Sequence, residues 1–354
     1  MTVSTVGIGM LGSGFIARFH TQGLRHVRTA RLAAATGRDP LSLAAFAERF
    51  GYARTFDSID GVCADPDVDL VVVSLPNELH LTAVEAAARH GKAVLCTKPL
   101  GRNVDEARWM LDVLTDRGVW HGYLENVVFT TDLVRMRDLV ESGAIGRPIT
   151  FRAREAHSGP HAPHFWDAET AGGGAMLDMA SHGIEAARYL FGKDVPVRDA
   201  FAWGATLVHG AKTTGEDNAI VVMRFEDGRF ATIDVSWSSK GGLEGRFELA
   251  GTGGRAISDM SSTTLRAFIE RPAGYLAEKA DADTGWVFPV PDETYVHGHD
   301  AMMSHMVDAF AACVPPREDF RDGFAVNAVL DAAYRSIRSG RWEAVEQLAA
   351  VAAA

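Results

Sequence analysis

Cysteine is scarce in this chain. Its 354 residues include only Cys63, Cys96 and Cys313, an odd number, far apart and without a C-x-x-C pair. That excludes a disulfide framework and fits a reducing compartment. Long apolar runs are missing too: no stretch reaches the ~20 residues that cross a bilayer. The C-terminal run from Leu348 to Ala354 is too short and too alanine-rich for an anchor. The N-terminus has no basic n-region and enters its first strand within a few residues, so no signal peptide is expected. Basic residues are in the minority, 35 against 46 acidic, for a net charge of −11. A general binder of phosphate backbones would want a basic face, so nucleic acid is not expected as a partner. Internal repeats and low-complexity linkers are absent as well. What remains is a soluble, cytoplasmic protein with no membrane partner.

Apolar residues at 47% and charged ones at 23% are those of a globular protein, and 354 residues suggest two domains. The pattern of strands divides them. Near the N-terminus, Val6, Ile8, Met10 and Leu11 read as a strand that runs straight into glycines and a helix. Two registers compete for a dinucleotide fingerprint. Gly7-Ile8-Gly9-Met10-Leu11-Gly12 fits G-x-G-x-x-G but sits inside the strand, whereas Gly12-Ser13-Gly14-Phe15-Ile16-Ala17 fits G-x-G-x-x-A and follows it. The second is preferred, because the motif has meaning only between a strand and a helix N-terminus, where free N–H groups meet a pyrophosphate.

A second apolar run, Ala30 to Thr36, ends in Gly37-Arg38-Asp39. A carboxylate at this point binds the ribose hydroxyls and repels a 2′-phosphate. Gly37 holds that position and Arg38 follows, which places NADP narrowly ahead of NAD; Asp39 takes the ribose role if the turn is one residue longer. Val68 to Leu75 is a continuous apolar run, as a strand buried on both faces requires, and leads into Leu75-Pro76-Asn77 with His80 three residues on. Ala93 to Cys96 is the next such strand. Thr97-Lys98-Pro99 follows it directly, with the lysine placed to point into a cofactor cleft. Trp120 to Tyr123 closes this set, with Glu125-Asn126 at its carboxyl end.

Beyond Gly143 the strands alternate. Ile149, Phe151 and Ala153, then Ala219, Val221, Met223 and Phe225, and two further sets around Phe230 and Phe247 keep a period of two, the mark of an antiparallel sheet with one covered face. Ahead of most of these strands lies Gly172-Gly173-Gly174-Ala175-Met176-Leu177-Asp178-Met179-Ala180-Ser181-His182. Asp178 and His182 are four apart, so one helix face carries both. His182 suits proton transfer to or from a hydroxyl, with a carboxylate to orient its ring. The loop His157 to Asp167 holds three histidines without helical spacing or a cysteine, so no metal is expected and a substrate-facing loop is preferred. Its His164 and Trp166, with Arg154 below, are candidate substrate contacts.

In order, Gly12-Ser13-Gly14-Phe15-Ile16-Ala17, Pro76-Asn77 with His80, Lys98-Pro99, and Asp178 with His182 resemble the glucose–fructose oxidoreductase / inositol 2-dehydrogenase (Gfo/Idh/MocA) family. The resemblance spans nearly the whole chain. It implies an α/β plus α+β protein: a Rossmann domain with a doubly wound parallel sheet over residues 1–124, and over residues 125–354 a domain on a large, mostly antiparallel sheet for substrate binding and oligomerisation. It further implies an NAD(P)-dependent oxidoreductase moving hydride between nicotinamide and a secondary hydroxyl of a sugar, cyclitol or glycoside. Lys98, Asp178 and His182 form its catalytic set, Glu125 and Asn126 reach the nicotinamide side, and a homodimer or homotetramer forms through the second sheet. A redox-neutral glycosidase or lyase and a non-catalytic cofactor sensor are the alternatives on the same fold. Where the family usually has glutamate before the lysine, this chain has Thr97, and Glu185 stands where it often has aspartate.

Overall fold

A computed structural model describes residues 5–260, 267–272, 284–287 and 292–348. In chain order its elements are β1 Val6–Leu11, α1 Phe15–Gly23, β2 Ala30–Thr36, α2 Pro40–Phe50, β3 Arg54–Phe56, α3 Ile59–Ala64, β4 Leu70–Val73, α4 His80–Arg89, β5 Ala93–Thr97, α5 Val104–Asp116 and β6 His121–Leu124. There follow α6 Thr131–Glu141, β7 Pro148–Ala156, α7 Ala168–Ala171, α8 Ser181–Phe191, β8 Val197–Ala205, β9 Asn218–Phe225, β10 Phe230–Ser236, β11 Glu244–Gly251, β12 Gly254–Asp259, β13 Ala267–Ile269, β14 Gly285–Val287, α9 Glu293–Val296, α10 His299–Ala311, α11 Phe320–Ser339 and β15 Glu343–Ala344. No helix among the described residues is long and apolar enough to cross a membrane.

The chain divides into two compact units. The first comprises residues 1–129 and 298–324, and the second residues 130–297 and 325–354. In the first, six parallel strands stand in the order β3-β2-β1-β4-β5-β6. That is the doubly wound order whose direction reverses between β1 and β4, opening a crevice at the carboxyl ends of those strands. The runs Val6–Leu11, Leu70–Val73 and Ala93–Thr97 are buried throughout, which is why they lack alternation. The return of residues 298–324 to this unit differs from a single cut at 124/125. The reason is packing: a Cβ on Gly23 would lie 2.8 Å from the carbonyl oxygen of His299, and one on Gly122 2.9 Å from the sulfur of Met306. Met302, Met303 and Met306 of α10 are wholly buried, so this segment completes the unit's core.

In the second unit seven strands run β12-β11-β7-β10-β9-β8-β15, antiparallel except for the β7–β10 pair. The period-two pattern holds. Phe151, Ala153, Val221, Met223, Ile233, Phe247 and Leu249 are buried on one face, against which α8 lies. A Cβ on Gly183 would stand 2.9 Å from both Ala153 and Ile233, so glycine sets how closely α8 approaches the sheet.

Candidate active site

In the first unit the expected cofactor residues fall on the carboxyl edge of the parallel sheet. Gly12 follows β1 with φ +115, and a Cβ there would lie 2.2 Å from the carbonyl oxygen of Ser74, just after β4. Only glycine allows this approach. Gly14 is the N-cap of α1; no side chain caps that end, and a Cβ on Gly14 would meet nothing within 4 Å. Phe15 and Ile16 open the helix. A helix N-terminus without a side-chain cap, reached by a glycine turn at the switch point, fits a pyrophosphate. The second register of the fingerprint is thus the one at a strand–helix junction, while Gly7 and Gly9 lie inside β1.

A Cβ on Gly37 would come within 2.4 Å of Ser13 Oγ, so the end of β2 and the glycine turn lie side by side, and no carboxylate stands at this position. Arg38 is exposed. Asp39 is the N-cap of α2, its Oδ1 accepting from the Ser42 amide at 2.8 Å, and these hydrogen bonds hold its carboxyl below the usual range. Beyond β4, Leu75 and Pro76 are half-buried and Asn77 is buried. His80 is wholly buried, with Nε2 3.0 Å from the Leu75 carbonyl and Nδ1 3.1 Å from the Leu100 carbonyl. Burial lowers its pKa, so a neutral ring donates to one of these carbonyls at a time. His80 ties the β4 loop to the turn that carries Lys98, rather than offering a nitrogen to the cofactor. Thr97 is buried at the end of β5, half-buried Lys98 follows it, and the Lys98–Pro99 bond is cis. Glu125 is buried and accepts from the amide of Val127 at 3.1 Å, with Asn126 beside it.

Reasoning along the chain passed over a buried pair beneath this edge. His20 of α1 places Nδ1 2.8 Å from Ser74 Oγ, and burial drives its pKa down to about 3. The ring is therefore neutral and pins the residue whose carbonyl faces Gly12.

The second unit builds its candidate residues around the glycine-rich stretch. A Cβ on Gly173 would stand 2.0 Å from the Tyr334 hydroxyl, and one on Gly174 2.1 Å from the Glu216 carbonyl oxygen. Glu216 uses this closeness. Its Oε1 accepts from the amides of Gly174 at 3.2 Å and Met176 at 2.9 Å, and from Tyr334 Oη at 3.0 Å, while its carbonyl accepts from Ala175 at 2.8 Å. A distant carboxylate thus caps the start of the segment bearing Asp178 and His182. Met176–Ala180 is a π-helical turn, not α-helix, so Asp178 lies in a widened turn and His182 in the first turn of α8. Such turns are frequent at functional sites. Both side chains are buried. Asp178 Oδ2 accepts from the indole N–H of Trp237 at 3.1 Å. Glu185 is buried and ion-paired with Arg188 and with Lys193 at 3.4 Å, a structural role.

Trp166 stands edge-on to Trp237, ring centroids 5.5 Å apart, and to His209 at 5.0 Å, with Lys212 Nζ 5.1 Å from its ring centre. His164 packs on Phe165 at 4.3 Å. Arg154 is a correction. Phe151 and Ala153 face α8, so the period of two turns Arg154 to the opposite face of the sheet. There Asp234 holds it at 2.7 Å and Glu244 at 2.9 Å. Position in the chain suggested an anchor below the loop; the pleat sends the guanidinium away from Asp178. At the start of α10, whose N-cap is Gly298 without a side-chain bond, Asp300 pairs with Arg25 at 3.3 Å.

Fold and first-unit geometry define a dinucleotide-binding class with a Rossmann domain. Comparison with known proteins makes the class a family. Residues 6–123 match the model described as oxidoreductase family, NAD-binding Rossmann fold, and residues 133–257 match the GFO/IDH/MocA C-terminal domain. The chain belongs to the Gfo/Idh/MocA oxidoreductase family. It is 31% identical over 256 residues to the myo-inositol 2-dehydrogenase of Thermotoga maritima, covering 71% of this chain and 75% of that one. It is 25% identical to the levoglucosan dehydrogenase of Pseudarthrobacter phenanthrenivorans, over 98% and 100% of the two chains. Among solved structures, GenD2 from gentamicin A biosynthesis in complex with NAD superposes with a TM-score of 0.90 at 29% identity, covering 98% of each chain.

Proposed function

We propose that this protein is a nicotinamide-dependent dehydrogenase acting on a secondary hydroxyl of a sugar, cyclitol or glycoside. The observation that carries the reading is the presence, in one chain, of the phosphate-binding turn at the β1/β4 switch point and of buried Asp178 and His182 at the head of a capped helix. The dehydrogenases of sugars and cyclitols among its relatives support it. Gly12, Ser13, Gly14, Phe15 and Ile16 would hold the pyrophosphate, Arg38 or Asp39 the adenosine ribose, and Leu75 to Asn77, Thr97, Lys98, Glu125 and Asn126 the nicotinamide half. The bound nicotinamide supplies the hydride acceptor or donor. His182 takes or returns the hydroxyl proton, Lys98 polarises the oxygen or relays that proton, and Asp178 is the orienting carboxylate; His164 and Trp166 contact the sugar. Positioned proton transfer of this kind is worth roughly 10²–10⁴-fold in rate.

Substitution of His182 by alanine and of Lys98 by methionine tests the roles. Each is expected to lower turnover by about that factor, with cofactor affinity kept in His182→Ala, and near-normal turnover in both sinks the assignment. A sugar and cyclitol screen that follows nicotinamide absorbance tests the reaction. Net reduction supports a dehydrogenase, bond cleavage without net change a redox-neutral glycosidase, and silence with tight cofactor binding a sensor.

The preference for NADP over NAD rests on exposed Arg38, beside an Asp39 that spends one oxygen on α2. Comparison of kcat/KM for the two cofactors, before and after Arg38→Ala, tests it: the NADP value alone should fall. We further propose a homodimer or homotetramer through the outer face of the seven-stranded sheet. Trp203, Ile220, Phe230 and Ile257 are exposed there. Sedimentation showing only monomer would remove that proposal. The free cysteines fit a cytoplasmic location.

A further inference from the structure

We propose that Trp237 is a positioning residue for Asp178, fixing the carboxylate plane through its indole N–H. The inference rests on the reading of Asp178 as part of the proton-transfer set. Trp237 follows β10 and is completely buried, with Nε1 3.1 Å from Asp178 Oδ2. An indole nitrogen donates and cannot accept, so its partner must be an acceptor. A donor aimed at a carboxylate in a water-poor interior makes a charge-assisted bond that sets orientation as well as energy.

The donor is itself immobilised. The Trp237 amide donates to the Asp217 carbonyl at 2.8 Å, and its own carbonyl lies 3.1 Å from Nε2 of His209. The Asp217 carboxylate, wholly buried, accepts from the amides of Leu207, Val208 and His209, each at 2.7 Å. Burial pushes its pKa up, but those amides together draw it below the usual carboxylate range, so it is anionic at neutral pH and ties the loop before β9 by three bonds. Trp166 braces the indole from the side. The chain of contacts runs from Asp217, through the backbone of Trp237, to an N–H on Asp178. Asp178 sits in a π-helical turn with two rotatable side-chain bonds, and the indole N–H is one of the groups that hold its carboxylate in one orientation. Catalytic groups tolerate misorientation of only ~10–20° before rate suffers.

Trp237→Phe keeps most of the ring and deletes the donor. With the wild-type enzyme active on a sugar from the screen, we expect kcat to fall roughly 10- to 100-fold, as for loss of one bond to a charged group. KM for the sugar and affinity for NAD(H) should stay close to wild type, while the thermal midpoint falls by the few degrees that one orphaned buried acceptor costs. A mere packing role would raise KM together with the fall in kcat, and that pattern, or an unchanged kcat, overturns the inference. Should Trp237→Phe fail to fold, β-(3-benzothienyl)alanine placed at 237 preserves the bicyclic frame with sulfur for N–H, and the same outcomes apply. Asp178→Asn separates the two levels of argument. If it is inactive while Trp237→Phe is fully active, only the positioning role falls; if it is as active as wild type, the role of Asp178 falls and this inference with it.

Discussion

The Gly12→Ala substitution is the sharpest probe of the phosphate turn. Gly12 has φ +115, and its added methyl would stand 2.2 Å from the Ser74 carbonyl oxygen and 3.0 Å from the carbonyl carbon. A non-glycine residue in such a conformation costs about 1–3 kcal/mol. The overlap is with backbone, so no side chain can rotate out of the way, and ordinary contact requires the two loops to part by about 1 Å. That movement strains the bonds that lock them, Gly12 N–H to the Thr36 carbonyl at 2.9 Å and Ser74 N–H to the Leu11 carbonyl at 2.8 Å. Loss of one adds about 1 kcal/mol. A total near 3 kcal/mol corresponds to a midpoint lower by roughly 6–12 °C. Gly14→Ala is the matched control. Gly14 has φ −81, and its added methyl would meet no protein atom within 4 Å, so the thermal midpoint should hold. Yet it stands at the uncapped helix end, where backbone must approach a pyrophosphate. NADH titration followed by fluorescence should therefore show weakened binding in both variants, by about tenfold or more if one charge-assisted bond is lost, with thermal loss only in Gly12→Ala. A wild-type midpoint for Gly12→Ala refutes the packing argument; full NADH affinity for Gly14→Ala refutes the assignment of this turn to phosphate.

Other outcomes follow from buried ionisable groups and from sheet geometry. His20 has its pKa lowered by burial from 6.5 to about 3, so its contribution is fully present above pH 6.5 and is lost as pH falls toward 3. Urea unfolding at pH 7 and at pH 4.5 should show part of that loss, bounded at about 3 kcal/mol over this interval, and His20→Asn should reduce it. Glu216 has its pKa raised by burial, so its ionisation opposes folding and stability falls as pH rises above the unfolded value of 4.5. Glu216→Gln, which keeps an acceptor for the amides of Gly174 and Met176, should match or exceed wild-type thermal stability at pH 8, the difference closing toward pH 4. Glu216→Ala should instead be less stable at every pH, by about 1–3 kcal/mol per orphaned amide. Arg154→Met should leave sugar KM within about twofold and cost no more than about 1 kcal/mol, as for a part-exposed ion pair; a large rise in KM would contradict its place on the outer face.

Much of the parallel-sheet half was legible in order along the chain, and the reason is topological. In a parallel sheet every strand delivers its carboxyl end to one edge, so residues that follow Leu11, Val73, Thr97 and Leu124 share that edge whatever their separation in sequence. Continuous burial of Leu70–Val73 and alternation around Phe151 likewise told one sheet from the other, because a strand covered on both faces cannot alternate. The glycines of Gly172-Gly173-Gly174 announced a close approach without saying to what.

Tertiary structure alone decided the partners. Glu216, Tyr334 and Trp237 reach the Asp178 segment across 40 to 160 positions, and no local pattern marks an indole or a carboxylate for that duty. The His20–Ser74 pair beneath the phosphate turn is equally silent in sequence, since a helix histidine reads the same whether it faces solvent or a strand end. Arg154 shows the converse: its place near a substrate loop was visible, but the pleat that turned it outward depended on which of two neighbouring residues the sheet buried. The sequence by itself determined the class of fold, the sheet edge at which the proposed cofactor residues gather and the residue types proposed for proton transfer. Long-range contacts determined what holds those residues still, because orientation at ångström scale is set by groups that meet only when distant segments pack.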